Sequence, residues 1–293
     1  MLSAIIKTAR PHHWVKNLVV FAALIFAKKY SEPISVMLAI KGFLAFCFAV
    51  SAIYYVNDIT DLSKDQHHPT KKYRPIASGQ LPVKTASITI LFLLALSILV
   101  GYSLGLTFMI YLGIYIILNL AYNIGLKNVV IIDVMSLALG FVLRAVAGAA
   151  AIEVPISAWL LVCTILLALF LGFSKRRHEL EILGNGAVSH RQSLAHYSKY
   201  FLDQMISVVT ASTVVAYTFY TLSPDVKEKL GTGNLVLTVP FVLYGIFRYL
   251  YLIHQKEQGG NPTKLLVTDI PLLICVALWI TTVLIILQFE GKV

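Results

Sequence analysis

The chain has 293 residues, 58% of them hydrophobic and 13% charged, with a mean hydropathy of +0.80. A soluble domain of that composition has too little polar material to cover its surface, so a water-soluble globular protein is excluded and an integral membrane protein remains. The net charge of +10 sits in loops between apolar segments, which suits membrane orientation and anionic substrates better than nucleic acid.

In chain order, Arg10-Pro11-His12-His13-Trp14-Val15-Lys16-Asn17 opens the first apolar run and reads as an interfacial anchor, with Trp and Lys at headgroup level. Lys16 and Asn17 enter that run and are placed to face a cavity. The run 15–27 is short, but no small-residue cleavage site follows it, so it is expected to be a retained first helix rather than a signal peptide. Nine apolar stretches are separable: 15–30, 35–57, 83–104, 106–122, 129–150, 156–174, 201–222, 234–253 and 265–288. Most reach the roughly 20 residues that span hydrocarbon, and they are continuous rather than alternating, so helices are expected and a barrel is not.

Nine spans put the termini on opposite sides. With the N-terminus inside, 17 basic residues fall on the cytoplasmic side and 6 on the other, with Arg144 inside a span. That bias predicts a multi-pass cell (inner) membrane protein with a cytoplasmic N-terminus. The segments 58–82 and 175–200 are long, polar and on the same side, so they are expected to form a cytoplasmic cap on one polytopic domain, 1–293. Cys47, Cys163 and Cys275 all lie in apolar runs and read as small core residues.

Chemistry concentrates in Asn57-Asp58-Ile59-Thr60-Asp61-Leu62-Ser63-Lys64-Asp65, at the end of a long apolar run. Acids near a bilayer are costly unless they have partners, and an acid cluster at a helix C-terminus opposes the macrodipole. Continued as helix, the run sets Asn57, Asp61 and Asp65 on one face, each about 6 Å along the axis from the last. Such oxygen ligands suit a magnesium ion carrying a diphosphate, with Asp58 as a further ligand. Tyr54 lies one turn earlier on the same face. Lys64, Lys71, Lys72 and Arg74 crowd beside the acids and are suited to phosphate oxygens. His68 either contacts phosphate or shapes the turn before Pro69.

A second polar island holds Tyr122, Lys127 and Asp133, and the short 122–133 connection is a weak echo of the 58–82 loop. Asp133 sits among apolar residues and requires a partner. Arg144, about three helical turns on, shares its face but is too far for a direct pair; a structural ion pair and an anionic-substrate contact both remain open for it. Ser174-Lys175-Arg176-Arg177-His178-Glu179 reads chiefly as the positive-inside signal, with one or two of its bases, or Arg191, available to close over substrate.

The motif Asn57-Asp58-x-x-Asp61-x-x-x-Asp65, followed by Arg74-Pro75-Ile76-Ala77-Ser78-Gly79, resembles the first aspartate motif and loop of the UbiA superfamily of intramembrane prenyltransferases over essentially the whole chain. The pattern Arg10-Pro11-x-x-Trp14-x-Lys16-Asn17, with His68-Pro69-x-Lys71-x-x-Arg74-Pro75 and Tyr122-x-x-x-Leu126-Lys127, is similar to its decaprenyl-phosphate phosphoribosyltransferase branch. The resemblance implies nine transmembrane helices around a central cavity open to the cytoplasmic face. It implies transfer of 5-phosphoribosyl from phosphoribosyl pyrophosphate to a polyprenyl (deca- or undecaprenyl) phosphate, with Mg2+, for arabinose-type cell-wall glycan precursors. A homo-oligomer, a trimer, is also implied. Ordinary members carry a second aspartate-rich motif; only Asp133 stands here, with Lys127 before it.

On this reading the catalytic residues are Asp58, Asp61, Asp65 and Asp133, and the metal ligands Asn57, Asp58, Asp61 and Asp65. Lys16, Tyr54, Lys71, Lys72, Arg74, Tyr122 and Lys127 bind the donor. Lys71, Arg74, Lys127, Arg144 and Arg177 bind the lipid phosphate. The competing readings are an aromatic prenyltransferase using a prenyl diphosphate and a small-molecule transporter. No inverted repeat supports the transporter, and Gly140 and Gly148 suit close helix packing instead.

Overall fold

A computed structural model of the chain describes residues 1–68, 70–183, 192–257, 260, 265–266 and 268–289. Among them there is no strand, and eight helical segments are long and apolar enough to cross a membrane. A short α1, Leu2–Ala9, precedes them, followed by a 3-10 segment Pro11–Phe21 and α2, Ala22–Phe26. The long helix α3, Pro33–Thr60, is followed by α4, Leu62–Gln66. Then come α5, Val83–Tyr102, α6, Leu106–Ile124, α7, Ile132–Ala151, and α8, Ala158–Leu183. The chain continues with α9, Lys199–Leu222, α10, Pro224–Leu230, α11, Val239–His254, and α12, Ile270–Phe289.

Eight of the nine expected stretches have helical counterparts of spanning length. The first, 15–30, differs: it opens inside the 11-residue 3-10 segment Pro11–Phe21, and only five residues follow as α-helix. Runs of 3-10 helix beyond three or four residues are uncommon because i and i+3 side chains eclipse, so tertiary bonds must hold this one. The expected cap segment 175–200 also begins later, because α8 runs through Lys175–Arg177 to Leu183.

The chain divides into two compact units, 1–24 with 29–124 and 143–155, and 25–28 with 125–142 and 156–293. In the first, α3 is the central helix, lined by α1, the 3-10 segment, α5 and α6. Lipid tails are as apolar as leucine, so helix association in a bilayer depends on close packing rather than on escape from water. Ala45 and Ala49 on α3 supply the small surfaces, and Phe46 meets Phe108 and Tyr115 edge-on at 5.9 and 5.1 Å. The α5–α6 connection is so short that Gly105 takes φ +91°, a conformation that residues with a Cβ rarely adopt. Outside the spans, Ile76 and Leu81 fold the 61–82 loop back onto Ala4, Tyr55 and Ala86.

In the second unit α8 packs along α9, and α11 along α12. Its core gathers Val134, Phe170, Tyr197, Leu202, Ile206 and Tyr249. A separate cluster joins Tyr217, Leu230, Leu235 and Leu287, with Tyr217 bonded to Thr238 and Trp279.

Candidate active site

In the first unit the acidic motif meets two arginines. Asp58 and Asp65 are seven residues apart, two turns, and both are buried. Arg74 Nη1 donates to Asp65 Oδ2 at 2.6 Å and to Asp58 Oδ1 at 3.1 Å; Arg10 Nη2 donates to the same Asp58 oxygen at 2.5 Å. Arg10 ends α1 in the left-handed region, φ 52°, which costs a non-glycine residue about 1–2 kcal/mol. Its guanidinium also lies over the Tyr54 ring at 4.8 Å, and His13 flanks that ring at 5.4 Å. The strained backbone and the two contacts together set one cation on Asp58.

The backbone ladder continues through the break after α3, Asp61 N–H to the Asn57 carbonyl at 2.9 Å and Asp65 N–H to the Asp61 carbonyl at 2.8 Å. Asp61 itself leaves the helical region, with φ −91° and ψ 8°, in the bridge region where active-site residues often sit. The single expected face is therefore split. Asp58 and Asp65 hold the arginines, while Asn57 and Asp61 stand one turn apart. Among the described residues no three acidic, histidine or cysteine side chains are already gathered around a common point. The buried Asn57 Oδ1 has no hydrogen-bond partner among them. An orphan amide oxygen one turn from a carboxylate fits a hard cation, which takes oxygen ligands and keeps waters and phosphate oxygens for the rest.

The basic loop is ordered by His68, whose Nδ1 accepts the backbone N–H of Thr70 at 3.1 Å and of Lys71 at 3.2 Å, so this ring shapes the turn. Lys71 is half-buried; Lys72 is exposed with its ammonium over the Tyr73 ring at 5.2 Å. Lys16 and Tyr122 are half-buried. Arg144, expected at the lipid phosphate, lies among the helices. It is 6% exposed, gives Nε to Asn17 Oδ1 and Nη2 to Tyr115 Oη, both at 2.7 Å, and lies over the Tyr115 ring at 4.7 Å. Those bonds hold it inside the helix packing.

In the second unit lies Asp133, expected among the catalytic residues. It is fully buried, accepting from Arg176 Nε at 2.6 Å, Tyr197 Oη at 2.8 Å and Ser193 Oγ at 3.3 Å. Burial pushes the Tyr197 phenol above its usual value, so it stays a neutral donor. Its oxygen accepts the N–H of Ile131 at 2.7 Å, a β-branched residue strained at φ 67°. Ser193 also reaches the Lys127 carbonyl at 3.1 Å, so the network fixes the 126–128 turn and with it the backbone of half-buried Lys127. Arg177, expected at lipid phosphate, is instead held by Asp203 at 2.6 Å and Glu181 at 3.1 Å. Arg191 lies outside the described residues.

Sequence reasoning missed Arg10 and Arg176 as acid partners, 48 and 43 residues from Asp58 and Asp133, where no local period reveals them. The Asp58–Asp65 pairing did have a signal, the two-turn spacing.

The UbiA prenyltransferase family model matches residues 18–268. A protein of Mycolicibacterium smegmatis named decaprenyl-phosphate phosphoribosyltransferase is 32% identical over 294 residues, covering 97% of this chain and 92% of its own length. One of the same name from Corynebacterium glutamicum is 33% identical, covering 96% of this chain and 85% of its own. Among solved structures, a UbiA homolog from Archaeoglobus fulgidus bound to GPP and Mg2+ superposes with a TM-score of 0.74 at 19% identity, covering 97% of this chain and 99% of that one. With the family model spanning most of an all-helical, multi-pass membrane chain, this protein belongs to the UbiA prenyltransferase family.

Proposed function

We propose that this enzyme transfers 5-phosphoribosyl from phosphoribosyl pyrophosphate to a polyprenyl phosphate and releases pyrophosphate. The observation that carries the reading is the mixed-charge cluster in which Arg10 and Arg74 grip Asp58 and Asp65 beside an orphan Asn57 oxygen. The full-length likeness to enzymes named for that transfer supports it.

Asn57 and Asp61 would hold a Mg2+ ion, which supplies charge neutralisation for a diphosphate leaving group. The Archaeoglobus homolog's Mg2+ supports the choice of metal. Arg74 and Lys71 hold donor phosphates as bidentate and point-charge partners, with Lys16 and Tyr54 completing the pocket. A phosphate oxygen of the lipid attacks C1 of ribose, the C1–oxygen bond to pyrophosphate breaks, and the product is phosphoribosyl-polyprenyl phosphate inverted at C1. The acceptor oxygen is already anionic, so no strong base is required; the residues act by positioning and electrostatics. The site faces the cytoplasm, where a water-soluble donor is available, and the homo-trimer belongs to the same proposal.

Purified protein with Mg2+, labelled phosphoribosyl pyrophosphate and decaprenyl or undecaprenyl phosphate tests it. Labelled lipid is expected. No labelled lipid, with turnover of a prenyl diphosphate and an aromatic acid, would assign the chain to aromatic prenylation.

A further inference from the structure

The 3-10 segment Pro11–Phe21 shows a three-residue pattern from His12 to Val20. Trp14, Asn17 and Val20 form its anchored face. Trp14 Nε1 donates to Ser51 Oγ at 3.0 Å, and Ser51 Oγ in turn donates to the Ala9 carbonyl at 3.0 Å. Asn17 Nδ2 donates to Cys47 Sγ at 3.2 Å, and Asn17 Oδ1 accepts from Arg144. The Val20 backbone lies so close to Gly148 that a Cβ there would overlap the Val20 carbonyl. Two helices therefore each present two points one turn apart, Cys47 and Ser51 on α3, Arg144 and Gly148 on α7.

An α-helix turns 100° per residue, so three side chains spaced by three would fan over about 120° and could not share these anchors. A 3-10 helix eclipses them. The same register puts His13, Lys16 and Val19 on a second, half-buried face and His12, Val15 and Leu18 on an exposed one. His13 is the member of the second face whose ring lies against Tyr54, the ring that also carries Arg10, and Arg10 in turn bonds Asp58.

We propose that Arg144 is a positioning residue: by holding Asn17 it locks residues 11–21 in three-residue register, and that register aligns Lys16 with His13 on the face that serves the donor phosphates. This rests on the phosphoribosyl-transfer reading for the role of Lys16, while the register itself does not. A buried arginine is a costly anchor in a membrane domain, and it supplies what a hydrophobic contact lacks, a directional fork that specifies one register.

Two measurements test it. In steady-state kinetics, Arg144→Lys raises KM for phosphoribosyl pyrophosphate about tenfold with kcat nearly unchanged, and adds nothing further in a Lys16→Ala background. Additive losses, or a fall in kcat at unchanged KM, would overturn the proposal. In hydrogen–deuterium exchange of the detergent-solubilised chain, Arg144→Lys speeds exchange of the peptide covering 11–21 and leaves α5 and α6 as they were. Unchanged exchange there refutes the register lock whatever the substrate proves to be. If wild-type protein makes no labelled lipid, the functional reading fails and exchange alone decides the register. Should Arg144→Lys not fold, Asn17→Ala breaks the same bond from the other side and gives the same readouts.

Discussion

Arg74 Nη1 lies 2.6 Å from Asp65 Oδ2, and through this contact the basic loop is tied back to α4 beside the end of α3. The same nitrogen reaches Asp58, so a single side chain joins both halves of the acidic motif. Arg74→Lys keeps the charge but replaces the planar guanidinium, whose Nη1 is set between the two carboxylates, with a flexible ammonium. We expect kcat/KM for phosphoribosyl transfer to fall roughly 30- to 100-fold, about 2–3 kcal/mol, while the protein stays folded by thermal unfolding in detergent.

The proposal that Asn57 and Asp61 hold the metal has a direct test. Asn57→Ala and Asp61→Asn should each weaken Mn2+ binding about 10- to 100-fold, read by electron paramagnetic resonance titration without substrate. Activity near wild type at limiting Mg2+ in Asp61→Asn would remove that residue from the site.

Asp133 and Arg176 form a buried pair; Glu179 also reaches Arg176 Nη1 at 2.8 Å, but removing the Asp133 charge leaves the buried Nε without its carboxylate. Asp133→Asn should lower stability by about 3–5 kcal/mol, whereas Tyr197→Phe, which deletes one hydroxyl serving Asp133 and Ile131, should lower it by about 1–3 kcal/mol. Thermal unfolding in detergent measures both. An Asp133→Asn protein of normal stability without activity would return Asp133 to the chemistry.

Asp269 caps α12 by accepting the Leu272 N–H at 3.0 Å, and two bonds from Arg248 hold its carboxyl below the usual carboxylate range. A depressed folded pKa means the pair stabilises the fold above the unfolded value, about 3.9, and that contribution is lost as pH falls through the folded value. Acid titration of the melting temperature should show a steeper loss below about pH 4 in wild type than in Asp269→Asn.

The membrane class was legible because hydropathy is a sum over residues and needs no partner: eight of nine expected stretches became spanning helices. The acidic motif and its basic loop were legible as a cluster because they are contiguous. Their internal pairing was not. Residues 61–82 can place Arg74 against several acids, and only the folding of Ile76 and Leu81 onto Ala4 and Tyr55 selects Asp58 and Asp65. Asp133 shows the same limit: its need for a partner was evident, but Arg144 on the same helix face was too far for a direct pair, and Arg176 comes from another helix.

By itself, then, the sequence determined that this is a membrane-embedded, helical chain with one acid-rich motif followed by a basic loop, because composition, apolar length and local charge density are properties of the strand of residues alone. The tertiary structure decided which carboxylates hold arginines, which bonds surround Arg144 and Asp133, and that the first apolar stretch opens as a 3-10 segment. The reason is desolvation: a buried charge or a strained backbone persists only where distant groups supply its bonds, and which groups arrive there depends on the path of the whole chain.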